Sequence, residues 1–205
     1  MKTERVDVYF DEPGPQNTED VIETVAKRIE STGIGYVVVA SHSGVTALKF
    51  AETLKNNRVK AKILCVTSGP ARKRKGKDWP SISQEMRKKL IDSDVVIVER
   101  ALNVFEEPIV EDSRWPSLTP GHIMREVFYT LGQGFKVAVE VALMSVVSGY
   151  LNPKQEVIAV GGTGKGCDTA IIMKTIFPQA FFSNDPNDRL EIREVIAMPR
   201  VKKFW

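Results

Sequence analysis

The sequence predicts a three-layer α/β fold, in which helices cover both faces of a mostly parallel sheet with an antiparallel edge. Short apolar runs alternate with amphipathic helical patterns, which is the order that βα units produce. The apolar runs are rich in Val and Ile, as in strands that are buried on both faces. Because no linker-like segment divides the 205 residues, we expect a single domain over residues 1–205.

The first half of the chain repeats one pattern of buried strand, polar turn and helix. Tyr36–Ala40 (YVVVA) is predicted as a strand because of its β-branched content, and SHSG connects it to a helix at Val45–Leu54. The same grounds predict these further elements: strand Val6–Phe10, a helix with apolar residues at 21, 22, 25 and 29, strand Lys62–Val66, helix Ser83–Ile91 and strand Val95–Val98.

The second half begins with residues 99–121, which show no clear period and are predicted to be irregular. The loop GGTGKGCDTA is expected to follow a buried strand and to open a helix. The predicted elements are helices Thr119–Leu131 and Gly134–Leu151, strand Val157–Val160, a helix through Ile171–Ile176 and a strand within Glu191–Met198.

Composition excludes several classes of protein. The chain is 42% hydrophobic, 27% charged and carries a formal net charge of +3, so neither nucleic acid nor an acidic membrane is a required partner. The most apolar segment, Gly134–Leu151, is interrupted by Lys136 and Glu140, which favours a buried helix over a membrane span. Glu140 is expected either to be paired inside the protein or to lie on the rim of a pocket.

The compartment and the redox state are predicted from the N-terminus and from the cysteines. The start, MKTERVDVYF, carries charges where a secretory signal needs apolar residues, so we expect a cytoplasmic protein. The two cysteines lack partners at metal-ligand spacing, which argues against a disulfide scaffold and against a cysteine-based zinc site. No metal is predicted, and a homo-oligomer is compatible with the sequence.

Three turns are predicted to form one binding site. The carboxyl ends of parallel strands meet at one edge of a sheet, where glycines and hydroxyls next to helix N-termini favour an anion. The sequence therefore predicts a cradle for a phosphorylated small molecule. Its candidate residues are Ser41, His42, Ser43, Gly44, Val45 and Thr46, then Thr67, Ser68 and Gly69, and then Gly161, Gly162, Thr163, Gly164, Lys165, Gly166, Cys167, Asp168 and Thr169. The alternative is that these Ser, Thr and Gly residues are ordinary caps and turns.

The glycine-rich loop matches neither of two known nucleotide motifs. A P-loop needs Gly at the position of Ala159 and Ser or Thr at that of Gly166, and the third glycine of the dinucleotide fingerprint would fall on Cys167. Lys165 either pairs with a phosphate or points to solvent. Cys167 is either a nucleophile activated by a helix start or a small loop residue, and no base can be assigned to it. No catalytic residue is therefore predicted.

A basic run at Arg72–Lys77, followed by Trp79, leaves three alternatives open. It is a solvated mobile loop, a positively charged lid over the ligand, or a contact for nucleic acid. Nucleic acid is disfavoured because aromatic residues are not interleaved with the charges.

Two segments resemble the C-terminal domain of pyruvate kinases. IGYVVVASHSGVTALKFAETL…AKILCVTSG is similar to its strand, hydroxyl-rich turn, helix and following strand, and GGTGKGCDTAIIM is similar to its closing glycine-rich loop. The resemblance implies a phosphate site, because four residues match positions that hold a phosphate of a sugar bisphosphate in allosteric members of the family. These residues are Ser41, Ser43, Gly44 and Thr46. With the ending EIREVIAMPR, the chain resembles stand-alone archaeal proteins of this type.

The resemblance implies a ligand but not kinase activity. The chain is too short for the catalytic barrel of a pyruvate kinase. The stand-alone members imply flavin mononucleotide (FMN) or a similar nucleotide as ligand, and a regulatory or sensing role. The alternative function is an enzyme of redox or transfer type that uses a flavin or Cys167.

Overall fold

The structure is a computed structural model that describes residues 2–106, 110, 113–114 and 117–204. Its strands are β1 (Val8–Phe10), β2 (Tyr36–Ala40), β3 (Lys62–Val66), β4 (Val96–Val98), β5 (Glu156–Gly161), β6 (Thr169–Lys174) and β7 (Glu191–Pro199). Its α-helices are α1 (Thr18–Thr32), α2 (Val45–Asn56), α3 (Gln84–Asp92), α4 (Pro120–Tyr129) and α5 (Gln133–Val147).

The strands form one sheet in the order β1-β7-β6-β5-β2-β3-β4. All neighbours pair in parallel except β6, which runs antiparallel to both β5 and β7 and lies third from the β1 edge. Helices α1 to α3 cover one face, and α4 and α5 cover the other. The fold class predicted from the sequence is therefore confirmed.

Alternation along the strands separates the two layers of the core. In β2, Val37 and Val39 pack with α1 and α2, whereas Val38 packs with α5 on the opposite face. Successive side chains of a strand point to opposite faces, so a strand covered on both sides must be apolar at every position. This requirement explains the uninterrupted apolar runs from which the strands were predicted.

Helix α5 lies under the centre of the sheet. All but three of its residues are buried, and it packs against β5, β2 and β6. Lys136 and Glu140, one helical turn apart, are themselves buried and pair with each other. No helix in the described ranges is long and apolar enough to cross a membrane.

The helix predicted through Ile171–Ile176 is wrong, because Thr169–Lys174 is the strand β6. Six consecutive buried residues carry neither a helical nor a strand period, so the pattern alone cannot separate the two. The β-branched residues Ile171 and Ile172 suit a strand, and pairing with β5 and β7 satisfies its backbone on both sides. As a result, the loop GGTGKGCDT joins two antiparallel strands and does not open a helix. The predicted irregular segment, 99–121, lies partly outside the described residues.

Candidate functional site: adjoining cavities at the carboxyl edge of the sheet

The three predicted turns lie side by side at the carboxyl edge of the sheet. Strands β5, β2 and β3 are neighbours, and Ala40 pairs with Val66 at their common ends. The amide of Ser41 donates to the carbonyl oxygen of Val66 at 2.9 Å, and the amide of Thr67 donates to that of Val98 at 2.9 Å. Backbone pairing thus holds the first residue of each turn, and the predicted meeting of the turns is confirmed.

A cavity of about 230 Å³ opens between these turns and α5. We call it the inner cavity. Among the described residues it is lined by Ala40, Ser41, His42, Val66, Thr67, Ser68, Asn103, Gln133, Val137, Glu140, Val141, Met144, Gly162, Gly164 and Gly166. Its walls combine hydroxyl and amide groups with aliphatic side chains, a mixture that is typical of small-molecule sites.

Only part of the SHSGVT turn reaches the inner cavity. Ser41 lines it, and the Ser41 Oγ also accepts a hydrogen bond from the amide of Ala47 at 3.3 Å, which caps the first turn of α2. Gly44 is buried against α3, where a Cβ atom would lie 2.7 Å from Met86 Cγ. Ser43 and Val45 are exposed, and the buried Thr46 lies outside the cavity lining.

His42 connects the first turn to the second. Its carbonyl oxygen lies 2.7 Å from Ser81 Oγ and 3.1 Å from Thr67 Oγ1, and the two hydroxyls lie 2.7 Å apart. The imidazole Nδ1 lies 3.5 Å from the guanidinium of Arg72. Partial burial lowers the pKa of His42 below its ordinary value, and the positive charges of Arg72 and Lys77 lower it further. A neutral ring at pH 7 follows, which accepts a hydrogen bond from Arg72 at Nδ1.

A second, basic cavity of about 380 Å³ adjoins the first and shares Ser68 and Asn103 with it. We call it the basic cavity. Its lining consists of Ser68, Gly69, Pro70, Ala71, Arg72, Arg74, Lys75, Lys77, Ala101, Leu102, Asn103 and Glu106. The basic run that the sequence left open is therefore folded, as a 3₁₀ helix over Pro70–Lys75, beside the predicted site. Its Lys73 lies over the ring of Trp79, as does Arg100.

The glycine-rich loop is held from beneath by Asp168, which is fully buried. Its Oδ2 accepts hydrogen bonds from the amides of Gly14 and Thr163, each at 3.1 Å, and its Oδ1 accepts one from Thr169 Oγ1 at 2.9 Å. Asp168 thus ties the loop to the N-terminal segment. Gly162, Gly164 and Gly166 line the inner cavity, and Lys165 is exposed at the loop tip.

The remaining candidates in the loop lie outside the lining of the inner cavity. Gly161 ends β5 and is buried, Thr163 is half-buried, and Cys167 and Thr169 are buried beneath the loop. Thr18 Oγ1 accepts a hydrogen bond from the Cys167 amide at 3.1 Å. Ligand contacts by these residues stay a prediction.

The helix start that would activate Cys167 is not present. The residue precedes β6, and burial raises the pKa of its thiol to about 12. The negative charge of Asp168 acts in the same direction. Cys65 behaves alike, since burial raises its pKa to about 12. Both thiols are therefore protonated at neutral pH.

Helix α5 contributes a wall of the inner cavity, of which the sequence predicts only Glu140: the residue is paired inside the protein and also lies at the pocket. Val137, Glu140, Val141 and Met144 line the inner cavity at the spacing i, i+3, i+4, i+7, which is one face of a helix. The only available signal is the charge of Glu140 within this apolar stretch. Asn103 and Gln133 also line the cavity, and neither lies in a motif that marks it.

Two buried side-chain atoms lack a hydrogen-bond partner in the part of the chain that the structure describes: Arg72 Nε and Glu140 Oε1. Arg72 lines the basic cavity and Glu140 lines the inner cavity. Buried polar atoms are nearly always satisfied in native proteins, so each exception requires an explanation. In this protein both exceptions lie at the same pair of cavities, one a donor and the other an acceptor.

No metal site accompanies the cavities in the described ranges, where no group of three or more His, Cys, Asp or Glu side chains is placed to hold an ion. Comparison with known families gives a match to the pyruvate kinase, alpha/beta domain, over residues 19–173. The match includes the first turn, the basic run, α5 and the glycine-rich loop, so it contains both cavities. The resemblance to the C-terminal domain of pyruvate kinases is thereby confirmed, and the chain belongs to the family of pyruvate kinase alpha/beta domains.

Proposed function

We propose that the chain binds a phosphorylated small molecule across the two adjoining cavities, with FMN as the leading ligand. The phosphate lies where the first turn faces the basic cavity, and the remainder of the ligand occupies the inner cavity. FMN is chosen because the stand-alone proteins that the sequence resembles imply it. Aliphatic residues such as Val66, Val141 and Met144 suit a flat ring in the inner cavity.

The observation that carries this proposal is the position of Arg72. Its Nε is buried without a partner among the described residues, while its Nη1 lies 3.5 Å from His42 at the border of the two cavities. A guanidinium presents several N–H donors in a plane and commonly pairs with two oxygens of a phosphate. A phosphate at this border gains the unpaired Nε–H and lies beside the hydroxyl-rich turn.

The surrounding charge supports the same position. Arg74, Lys75 and Lys77 also line the basic cavity, and Glu106 is its one acidic lining residue among those described. Cavities that concentrate one sign of charge raise the local concentration of an opposite charge. The two cavities together have the size of a cofactor site, which is roughly 300–1,000 Å³.

The role we assign to binding is regulation or sensing. The enzymatic alternative with Cys167 as nucleophile loses support, because burial keeps that thiol protonated. An enzyme that uses a bound flavin makes a different prediction. In that case the purified protein is yellow, and its flavin is reduced and reoxidised by a substrate pair.

The proposal is tested first by identifying what the purified protein carries. We expect denaturation to release a phosphate-bearing compound, identified by its mass, and FMN by its absorption spectrum. FMN is then titrated into ligand-free protein. Arg72→Gln should weaken binding about tenfold or more, because a hydrogen bond between charged groups contributes about 1.5–3 kcal/mol.

Arg58→Gln is the matched control, since Arg58 is exposed beyond the end of α2 and outside both cavities. It removes the same charge and should leave the affinity unchanged. The proposal is wrong if no phosphate-bearing compound copurifies or binds, or if Arg72→Gln leaves the affinity for FMN unchanged. Equal losses in Arg72→Gln and Arg58→Gln would indicate general charge attraction without a defined site.

A further inference from the structure

We propose that Glu140 recognises a hydroxyl or N–H donor on the uncharged part of the ligand, opposite the phosphate. The site would then select phosphate esters that carry such a donor, for example the imide N–H or the ribityl hydroxyls of a flavin. It would reject a bisphosphate, whose second anion would face the carboxylate. This inference rests on the proposed function and adds the orientation and chemical class of the ligand.

Glu140 has hydrogen-bonding capacity that the protein does not satisfy. The side chain is only 8% exposed, and Oε2 accepts a hydrogen bond from Lys136 Nζ at 2.6 Å. Oε1 is buried and has no partner among the described residues. Leaving a buried acceptor unpaired is unfavourable, especially on a charged group. Because Glu140 lines the inner cavity, a ligand donor in that cavity can supply the missing bond.

Lys136 is already engaged by groups of the protein. Its ammonium lies 2.6 Å from Glu140 Oε2, and it faces the rings of Phe105 and Tyr129 at 5.8 Å and 5.9 Å from their centroids. A cation enclosed by a carboxylate and two aromatic faces is well satisfied. Lys136 therefore holds Glu140 in place and is not the group that would attract a phosphate.

The charges that line the two cavities set the direction of the ligand. A carboxylate repels a phosphate, and the repulsion is strong where water is excluded. Arg72 and the other positive groups line the basic cavity, whereas Glu140 lines only the inner cavity. The phosphate must then point to Arg72, and the donor-bearing end must point to Glu140. The terminal torsion of a glutamate is soft, so a small rotation brings either oxygen to the ligand.

The test is Glu140→Gln, with riboflavin, FMN and inorganic phosphate as probes in equilibrium titrations. Lys136 requires an acceptor, so the amide oxygen of the glutamine turns to it and the amide N–H₂ takes the other position. That group is a donor facing the imide N–H, and to a hydroxyl, which can also accept, it offers only a neutral hydrogen bond in place of a charge-assisted one. We expect riboflavin and FMN to bind about tenfold more weakly or worse, and inorganic phosphate to bind as well as before.

Glu194→Gln is the matched control. Glu194 forms an ion pair with the buried Arg28 and lines neither cavity. The same change of a paired carboxylate should leave the affinity for all three probes unaltered. If Glu140→Gln does not fold, the wild-type protein is titrated with 3-methylriboflavin, which lacks the imide N–H, and with lumiflavin, which lacks the ribityl hydroxyls. One of the two should bind at least about threefold more weakly than riboflavin.

The outcomes separate the two proposals. If FMN binds the wild type and Glu140→Gln with equal affinity, or if neither flavin analogue binds more weakly, the role of Glu140 is wrong while the proposed function stands. An ordered water that satisfies Oε1 would give this result, with a change in stability alone. If neither FMN nor riboflavin binds the wild type, the proposed FMN site and the role of Glu140 are both wrong.

Discussion

The turn at 41–46 and the loop at 161–169 contain the same kinds of residue, yet they are held in different ways. The turn leads from a parallel strand into α2, and Ser41 caps that helix through the amide of Ala47. The loop joins the antiparallel strands β5 and β6 and is tied by Asp168 to Gly14. The cap of the turn is thus a contact between near neighbours in sequence, whereas the loop is tied to a residue 154 positions from Asp168.

Similar amino-acid composition therefore does not give the two segments the same capacity to bind an anion. Gly, Ser and Thr mark both segments as turns, but a helix start supplies unpaired amides and a dipole that a hairpin loop lacks. The first turn can therefore contribute to anion binding through its backbone. The glycine-rich loop contributes shape, because its glycines form a wall of the inner cavity.

The largest expected effect concerns Cys167. A cysteine at a helix start would react readily with alkylating agents, whereas the buried thiol, with its pKa raised from 9.0 to about 12, has about a thousandfold less thiolate at pH 8. We expect labelling of Cys167 by iodoacetamide to be about a thousandfold slower in the native protein than in urea, as followed by peptide mass spectrometry. Cys65, whose pKa is also about 12, is the internal control. Rapid labelling of Cys167 alone would restore the nucleophile hypothesis.

Removing the carboxylate of Asp168 should have the next largest effect. Asp168→Ala leaves the amides of Gly14 and Thr163 and the hydroxyl of Thr169 without their acceptor. Buried donors left unpaired cost about 1–3 kcal/mol each, so we expect the free energy of unfolding to fall by about 3 kcal/mol or more. Urea denaturation measures this change.

The corresponding control lies in the first turn. Ser43 is exposed, so Ser43→Ala should change the free energy of unfolding by no more than about 0.5 kcal/mol. A loss below about 1 kcal/mol in Asp168→Ala would mean that the loop is not held by this carboxylate.

Substitutions at two glycines show which part of the glycine-rich loop is fixed by its neighbours. Gly164 and Gly166 both have positive φ angles, of 84° and 66°. A Cβ at Gly166 would lie 2.3 Å from Thr18 Oγ1, whereas one at Gly164 would meet no atom within 4 Å. Gly164→Ala should therefore cost about 1 kcal/mol from backbone strain alone, and Gly166→Ala about 3 kcal/mol because it adds a clash. Equal losses in thermal unfolding would show that the base of the loop can move away from Thr18.

The smallest expected effect is the titration of His42. The pKa of His42 lies below 6.5 in the folded protein. As the pH falls, the ring is therefore protonated at a higher pH in the unfolded chain than in the folded protein. The stability associated with neutral His42 is present above pH 6.5 and is lost as the pH falls through the folded pKa. We expect NMR titration of the ring to give a value below 6.5, and Arg72→Gln to raise it. A phosphate bound at Arg72 should also raise it, and a value at or above 6.5 in the ligand-free protein would contradict the geometry.

The sequence predicts the elements whose local pattern agrees with their final environment. Lys62–Val66 is predicted with its observed bounds, because a short β-branched run between polar turns suits a strand buried on both faces. The positions of the three turns also follow, since consecutive βα units place strand ends at one edge. The prediction for β6 is wrong, because a fully buried run shows no hydrophobic period that would separate a strand from a helix.

The residues of the candidate site likewise fall into a predicted and an unpredicted group. Ser41, His42, Thr67 and Ser68 are predicted from their positions after strands, and the structure places them on the inner cavity. Asn103 lies in a segment without a pattern, and the wall formed by α5 belongs to a helix that is distant in sequence. Local sequence patterns indicate neither, because they depend only on residues that are close together in the chain.

The amino-acid sequence alone is thus enough to indicate the α/β layers, the family and the edge of the sheet where the cavities lie. These features arise from local patterns of apolar, hydroxyl and glycine residues. The tertiary structure decides that the glycine-rich loop is a hairpin, that Asp168 holds it, and that Arg72 and Glu140 have unpaired atoms at adjoining cavities. Each of these depends on contacts between residues far apart in the chain. Packing and burial determine which residues form these contacts, and the local sequence does not.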